Sequence, residues 1–106
     1  MNIKDKIIPV RLEEVALFYI HNGTVYLLDF KKGKYILSHT IDELENMAGD
    51  AFYRVDRQHL VNRKAIRDVS QHFARKLLLN LHVEYPTPIT IRKEKTSEFL
   101  GWLKAT

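Results

Sequence analysis

The sequence contains no cysteine, which excludes a disulfide framework, a thiolate zinc site and a thiol nucleophile. No apolar run approaches the roughly 18–20 residues of a membrane-spanning helix. The opening Met1-Asn2-Ile3-Lys4-Asp5-Lys6 lacks the apolar core of a secretion signal. A soluble, cytoplasmic protein is therefore expected. The four glycines, at 23, 33, 49 and 101, form no phosphate-cradling loop. Ser38, Ser70 and Ser97 stand in no G-x-S-x-G context. His21, His39, His59, His72 and His82 never fall at metal-ligand spacing. Asp56 and His59 are spaced to face each other across a turn, a pairing that is usually structural. No catalytic residue, metal, cofactor or small-molecule substrate is expected. At 106 residues and 12.5 kDa the chain is one domain, spanning 1–106. That is too small for a large α/β catalytic domain with a deep cofactor cleft.

What the sequence does have is an uneven charge. Residues 1–51 carry six Lys/Arg against eight Asp/Glu, whereas residues 52–106 carry eleven against five. Much of the excess falls in Arg54, Arg57, Arg63, Lys64, Arg67, Arg75 and Lys76. A basic half on a small domain suits a polyanionic partner, most often nucleic acid, although a solvated basic face has the same composition.

The pattern is mainly β, with eight to ten short antiparallel strands and two or three short helices. Ile7-Ile8-Pro9-Val10 reads as a strand that Pro9 would place at an edge. Residues 15–21 and 24–30, rich in branched and aromatic residues, flank Asn22-Gly23, a strong hairpin signal. Lys32-Gly33-Lys34 turns into Tyr35–Ser38, completing a meander. Thr40 and Glu43 form a capping box before the apolar stripe Ile41, Leu44, Met47 and Ala48, with Gly49 as the stop. Phe52–Val55 is a strand, and Arg57–Ile66 has the spacing of a helical turn. Ile66–Val69, Leu77–Leu81 and Ile89–Ile91 are further strands, and Lys95–Leu103 is a closing helix.

Residues 52–66, Phe-Tyr-Arg-Val-Asp-Arg-Gln-His-Leu-Val-Asn-Arg-Lys-Ala-Ile, hold apolar anchors among Arg, Asn and Lys. Arg and Asn read guanine and adenine edges bidentately, while Lys and further Arg suit phosphates. This stretch resembles the signature of the LytTR family of bacterial transcription regulators. Ile89-Thr90-Ile91-Arg92-Lys93 leading into Phe99, Leu100, Trp102 and Leu103 is similar to that family's closing motif. The resemblance runs from about Val10 to Leu103.

The resemblance implies an elongated β-β-β fold whose loops, and no recognition helix, enter successive major grooves of double-stranded DNA. It implies base and phosphate contacts from Asn22, Gly23 and Thr24, from Asn62 and Arg63, and from Arg92 and Lys93. Arg57, at the second signature arginine, becomes a phosphate ligand, and Lys64 belongs to the phosphate-contacting class. The implied setting is the effector domain of a two-component response regulator. Its partners are a receiver domain and promoter direct repeats that seat a second copy on DNA. Two positions depart from the pattern. Asp56 stands where many members have His or Asn, and suits orienting Arg57 or capping the turn; Ile91 replaces a common Ser. Other roles stay open: Asn22 as a turn residue of positive φ, Asn62 satisfying backbone groups, Arg92 as a solvated cation. A β-rich RNA-binding module, stacking bases on Tyr19, Tyr26 or Tyr35, and a protein-interaction module are the alternative functions.

Overall fold

Val15-Ala16-Leu17-Phe18-Tyr19 is an unbroken apolar run in which every residue is buried. Such a run suits a strand covered on both faces, and that is where the structure places it. In the computed structural model, which describes residues 2–3, 6–7 and 10–105, this run lies within β3 (Val15–His21). β3 is flanked by β4 (Thr24–Asp29) on one side and β7 (His59–Asn62) on the other. A seven-stranded sheet forms around it, adding β1 (Asn2–Ile3), β2 (Lys6–Ile7), β5 (Lys34–Leu37) and β6 (Phe52–Asp56). The strand order is β2-β1-β5-β4-β3-β7-β6. Within it, β3-β4-β5 is the expected meander. Ile8 and Pro9 of the expected first strand lie outside the described residues.

One face of this sheet is covered by α1 (Ile41–Ala48). Ile41, Leu44 and Ala48 pack there with Val15, Phe18, Leu27, Phe52 and Leu60. The capping box forms as expected, with the Glu43 N–H donating to Thr40 Oγ1 at 3.1 Å and the Thr40 N–H donating to Glu43 Oε1 at 2.9 Å. The other face meets a three-stranded sheet, ordered β10-β9-β8, and the closing helix. Its strands are β8 (Ile66–Gln71), β9 (Leu77–Leu81) and β10 (Thr90–Ile91), followed by α2 (Thr96–Lys104). Leu77, Leu79, Ile89, Ile91 and Phe99 bury against Leu17, Tyr53 and Val61. The molecule is elongated, 42 × 30 × 24 Å.

The helical reading of 57–66 is corrected. His59 to Asn62 is a strand with all four residues buried, and Leu60 and Val61 pair with Phe18 and Leu17. Only Arg63–Ala65 turns, as a short 3₁₀ segment. Two adjacent apolar side chains pointing to opposite faces fit a central strand between two cores better than one helix stripe.

Candidate nucleic-acid interface

The hairpin between β6 and β7 turns on Arg57 and Gln58, and its backbone is tied down at every carbonyl. Arg54 donates from Nε to the Asp56 carbonyl at 2.7 Å and from Nη2 to the Arg57 carbonyl at 2.9 Å. The Ile20 N–H donates to the Gln58 carbonyl at 2.9 Å. Arg54 is itself anchored to α1, its Nη1 lying 2.8 Å from Asp42 and 2.9 Å from Glu45. A bulge between Arg54 and Asp56 swings the Asp56 carboxylate back over the turn. There Oδ1 accepts from the Gln58 N–H at 2.8 Å and from His59 Nδ1 at 2.9 Å. His59 is 4% exposed, and its Nε2 lies 2.8 Å from the Tyr85 hydroxyl. Burial opposes the charge on Asp56. The His59 ring and the backbone N–H groups of Gln58 and His59 outweigh it, holding the carboxyl below its ordinary value. Burial pushes the Tyr85 hydroxyl up to about 12, so it remains a neutral partner to His59. The departure at Asp56 is thus a turn cap, and the exposed Arg57 and Gln58 side chains stand on a rigid backbone.

Arg92 joins them from a distant part of the sequence. Ile91 is 1% exposed and pairs with Leu77. Immediately after it, the Arg92 carbonyl accepts from the Lys95 N–H at 2.9 Å, closing a 3₁₀ turn over Lys93–Lys95. Arg54, Asp56, Arg57, Gln58, Arg92 and Lys95 line one cleft of about 630 Å³. A second hollow of about 840 Å³ includes Gly23 and Thr24 of the first hairpin and shares Arg54 and Arg57 with the first. Arg57 therefore stands between the hairpin loop and Arg92. Asn22, at φ 50, and Gly23, at φ 77, make the left-handed turn of that loop. The exposed Asn22 amide lies 3.3 Å from His21 Nε2.

Two of the expected contact residues, Asn62 and Arg63, are engaged within the fold. Asn62 is 2% exposed; its Nδ2 donates to the Val15 carbonyl at 2.9 Å and its Oδ1 accepts from the Lys64 N–H at 3.0 Å. An amide so enclosed fastens β3 to the turn after β7 and has no free edge for a base. Arg63 donates to the Trp102 carbonyl at 2.8 Å and to the Asp50 carbonyl at 3.3 Å, with its guanidinium 4.4 Å from the Trp102 ring centroid. That is a clamp on α2. Exposed Lys64 borders a small hollow with Leu12, Glu13 and Phe52, at the opposite end of β7 from Arg57. Lys93 is exposed beside Arg92. Gln58 and Lys95 are not among the expected contacts. A Gln in a two-residue turn beside a signature arginine, and a Lys three residues past Arg92, were the available signals. The aromatics of the RNA alternative are engaged within the fold, Tyr19 buried and Tyr26 and Tyr35 half-buried. Tyr19 is 7% exposed and packs at 5.2 Å on Tyr26 and 4.9 Å on Tyr85, and Tyr35 packs against the α1 core.

The sequence matches the family model described as LytTr DNA-binding domain over residues 5–104. No curated protein matches it. The fold is similar to a solved LytTr DNA-binding domain from Bacillus cereus, described as part of a methyl-accepting/DNA response regulator. That likeness has a TM-score of 0.79 and 19% identity, covering 98% of this chain and 94% of the other.

Proposed function

The chain belongs to the LytTr DNA-binding domain family, and on that premise we propose that it binds duplex DNA sequence-specifically to regulate transcription. The observation that carries this reading is the cleft that joins Arg57 and Gln58 to Arg92 and Lys95 on fixed backbone. Arg92 is the guanine reader and Gln58 an adenine reader, since both side chains fork to match two base-edge groups at once. Arg57, Lys93 and Lys95 contact phosphate and set the register. Asn22 and Thr24 approach the neighbouring stretch of groove from the first hairpin. Lys64 lies to one side, at a flanking phosphate. The protein acts in the cytoplasm as the output domain of a response regulator. A receiver domain governs it, and two copies sit on paired direct repeats.

The test is anisotropy titration against a duplex selected from a randomised pool, a scrambled duplex and a single-stranded RNA of equal length. Arg92→Ala should lose about 1–3 kcal/mol on the selected duplex and much less on the scrambled one. Lys95→Ala should weaken both alike and flatten the salt dependence by about one unit. Equal affinity of the wild type for selected and scrambled duplexes would overturn sequence-specific reading. Preference for the RNA would favour the alternative module.

A further inference from the structure

The hairpin of β8 and β9 ends in a tip, His72-Phe73-Ala74-Arg75-Lys76, that the cleft does not use. Phe73 is 82% exposed, far more than Ile36 at 39% or Met47 at 51%. The tip is tight: the His72 N–H donates to the Lys76 carbonyl at 2.9 Å. Ala74 and Arg75 sit at φ 60 and 62, two consecutive left-handed residues without glycine. That conformation is uncommon for side-chain-bearing residues and costs free energy. Here it holds an aromatic ring out in solvent.

Strand register fixes where the tip lies. β10 is antiparallel to β9, with Thr90 opposite Leu78 and Ile91 opposite Leu77. The chain after Ile91 therefore runs toward the tip, and Arg92 and Lys93 follow at the level of Lys76. Lys76 thus lies beside Arg92, which shares its cleft with Arg57 and Lys95. Among the described residues neither Arg75 nor Lys76 is in an ion pair.

We propose that this tip is a second DNA-contacting element, a wedge for the minor groove that flanks the major groove read by Arg92. The proposal rests on the DNA-binding reading above. Major and minor grooves alternate along one side of a duplex, so an element beside a major-groove reader faces a minor groove. The minor groove is about 6 Å wide and admits a single side chain at a turn, not a helix. A Phe presented there enters between base pairs and partly unstacks them. Arg75 and Lys76 lie against the groove's phosphate walls, where the negative potential is strongest. Charge favours DNA over a second copy of this chain as the occupant. A copy has the same net charge of +4 and the same basic half, whereas DNA supplies an anion for each tip cation.

The experiment uses the chain with its selected duplex, carrying 2-aminopurine at stepped positions outside the Arg92 contact. Wild type should raise the fluorescence at one or two adjacent steps, reporting unstacking. Phe73→Ala should abolish that rise and weaken binding about tenfold, the scale of one lost aromatic–base stack. Phe73→Leu should retain most of both. Arg75→Ala with Lys76→Ala should reduce the slope of log K against log salt by about two units. Unchanged fluorescence and affinity in Phe73→Ala, with Arg92→Ala impaired, would overturn the wedge while leaving the cleft reading standing. Self-association of the free wild type that Phe73→Ala removes would overturn it in favour of a protein contact. A wild type that binds no duplex would overturn the DNA-binding reading, and the wedge with it.

Discussion

Truncating Asn62 would strip partners from two main-chain groups, the Val15 carbonyl and the Lys64 N–H. Unsatisfied buried groups cost about 1–3 kcal/mol. Asn62→Ala is therefore expected to lose that much stability in urea unfolding, while the folded fraction still distinguishes selected from scrambled duplex. Arg92→Ala should do the reverse, changing stability by less than about 0.5 kcal/mol and losing discrimination. If Asn62→Ala keeps its stability and loses discrimination, the assignments are exchanged. In the sequence the two residues look alike, each a polar group following apolar anchors. What separates them is the number of neighbouring layers. Asn62 ends a strand with a core on both faces, whereas Arg92 follows a two-residue strand at the rim of the small sheet. One sequence shows which residues are apolar, but it does not show how many elements will cover them. Arg54 and Arg57 divide in the same way. Only the fold reveals that α1 supplies Asp42 and Glu45 to engage one of them.

Local elements were legible wherever a short-range signal decided them. Asn22-Gly23 required a left-handed turn, and Thr40 with Glu43 required a helix start; Thr40→Ala should cost about 1 kcal/mol through the lost cap. The strand β7 was not legible, because it is buried between β6 and β3, and its partners in β3 lie 40 to 44 residues earlier in the chain. The element that matters most to the site is the β6–β7 turn, and Arg54 is its strut. Its ion pairs with Asp42 and Glu45 are partly exposed, with side-chain exposures of 81% and 47% for the two carboxylates. Arg54→Met should thus lose under about 1 kcal/mol from the ion pairs. It should nevertheless weaken duplex binding several-fold, because the Asp56 and Arg57 carbonyls lose their donors and the turn loosens. Binding at wild-type affinity would show that the turn needs no strut. Acid should loosen the same turn. The Asp56 carboxyl is held below its ordinary 3.8. Its contribution is therefore complete above that value and is lost as pH falls through the lower folded-state value.

At the scale of the molecule, one sheet is held between α1 on one face and the small sheet with α2 on the other. Tyr53 of β6 and Tyr85 of the segment between β9 and β10 link the sheet to the second layer as neutral phenols. The Tyr53 hydroxyl donates to Glu98 of α2 at 3.0 Å, and its ring meets Phe99 at 5.3 Å. Burial, reinforced by the hydrogen bond to Glu98 and its charge, pushes Tyr53 up to about 12. Tyr85 bridges to His59 and is also raised, again first by burial, to about 12. For both, the folded state holds the proton more tightly than the unfolded chain, whose phenols titrate near 10.0. Their contribution to stability is complete below pH 10 and is lost as pH rises from 10 toward 12. Urea midpoints should therefore fall over that interval, together with the rise of tyrosinate absorbance at 295 nm. Tyr53→Phe keeps the ring packing but removes the ionisable group, so its midpoint should fall less steeply across the interval. An equally steep fall in Tyr53→Phe would mean that the contact between β6 and α2 does not depend on that proton. The turn carrying Arg57 and Gln58 depends on the second of these phenols at neutral pH as well. His59 lies directly beneath it, so Tyr85→Phe removes the hydroxyl partner of its Nε2 and should weaken duplex binding while the protein stays folded.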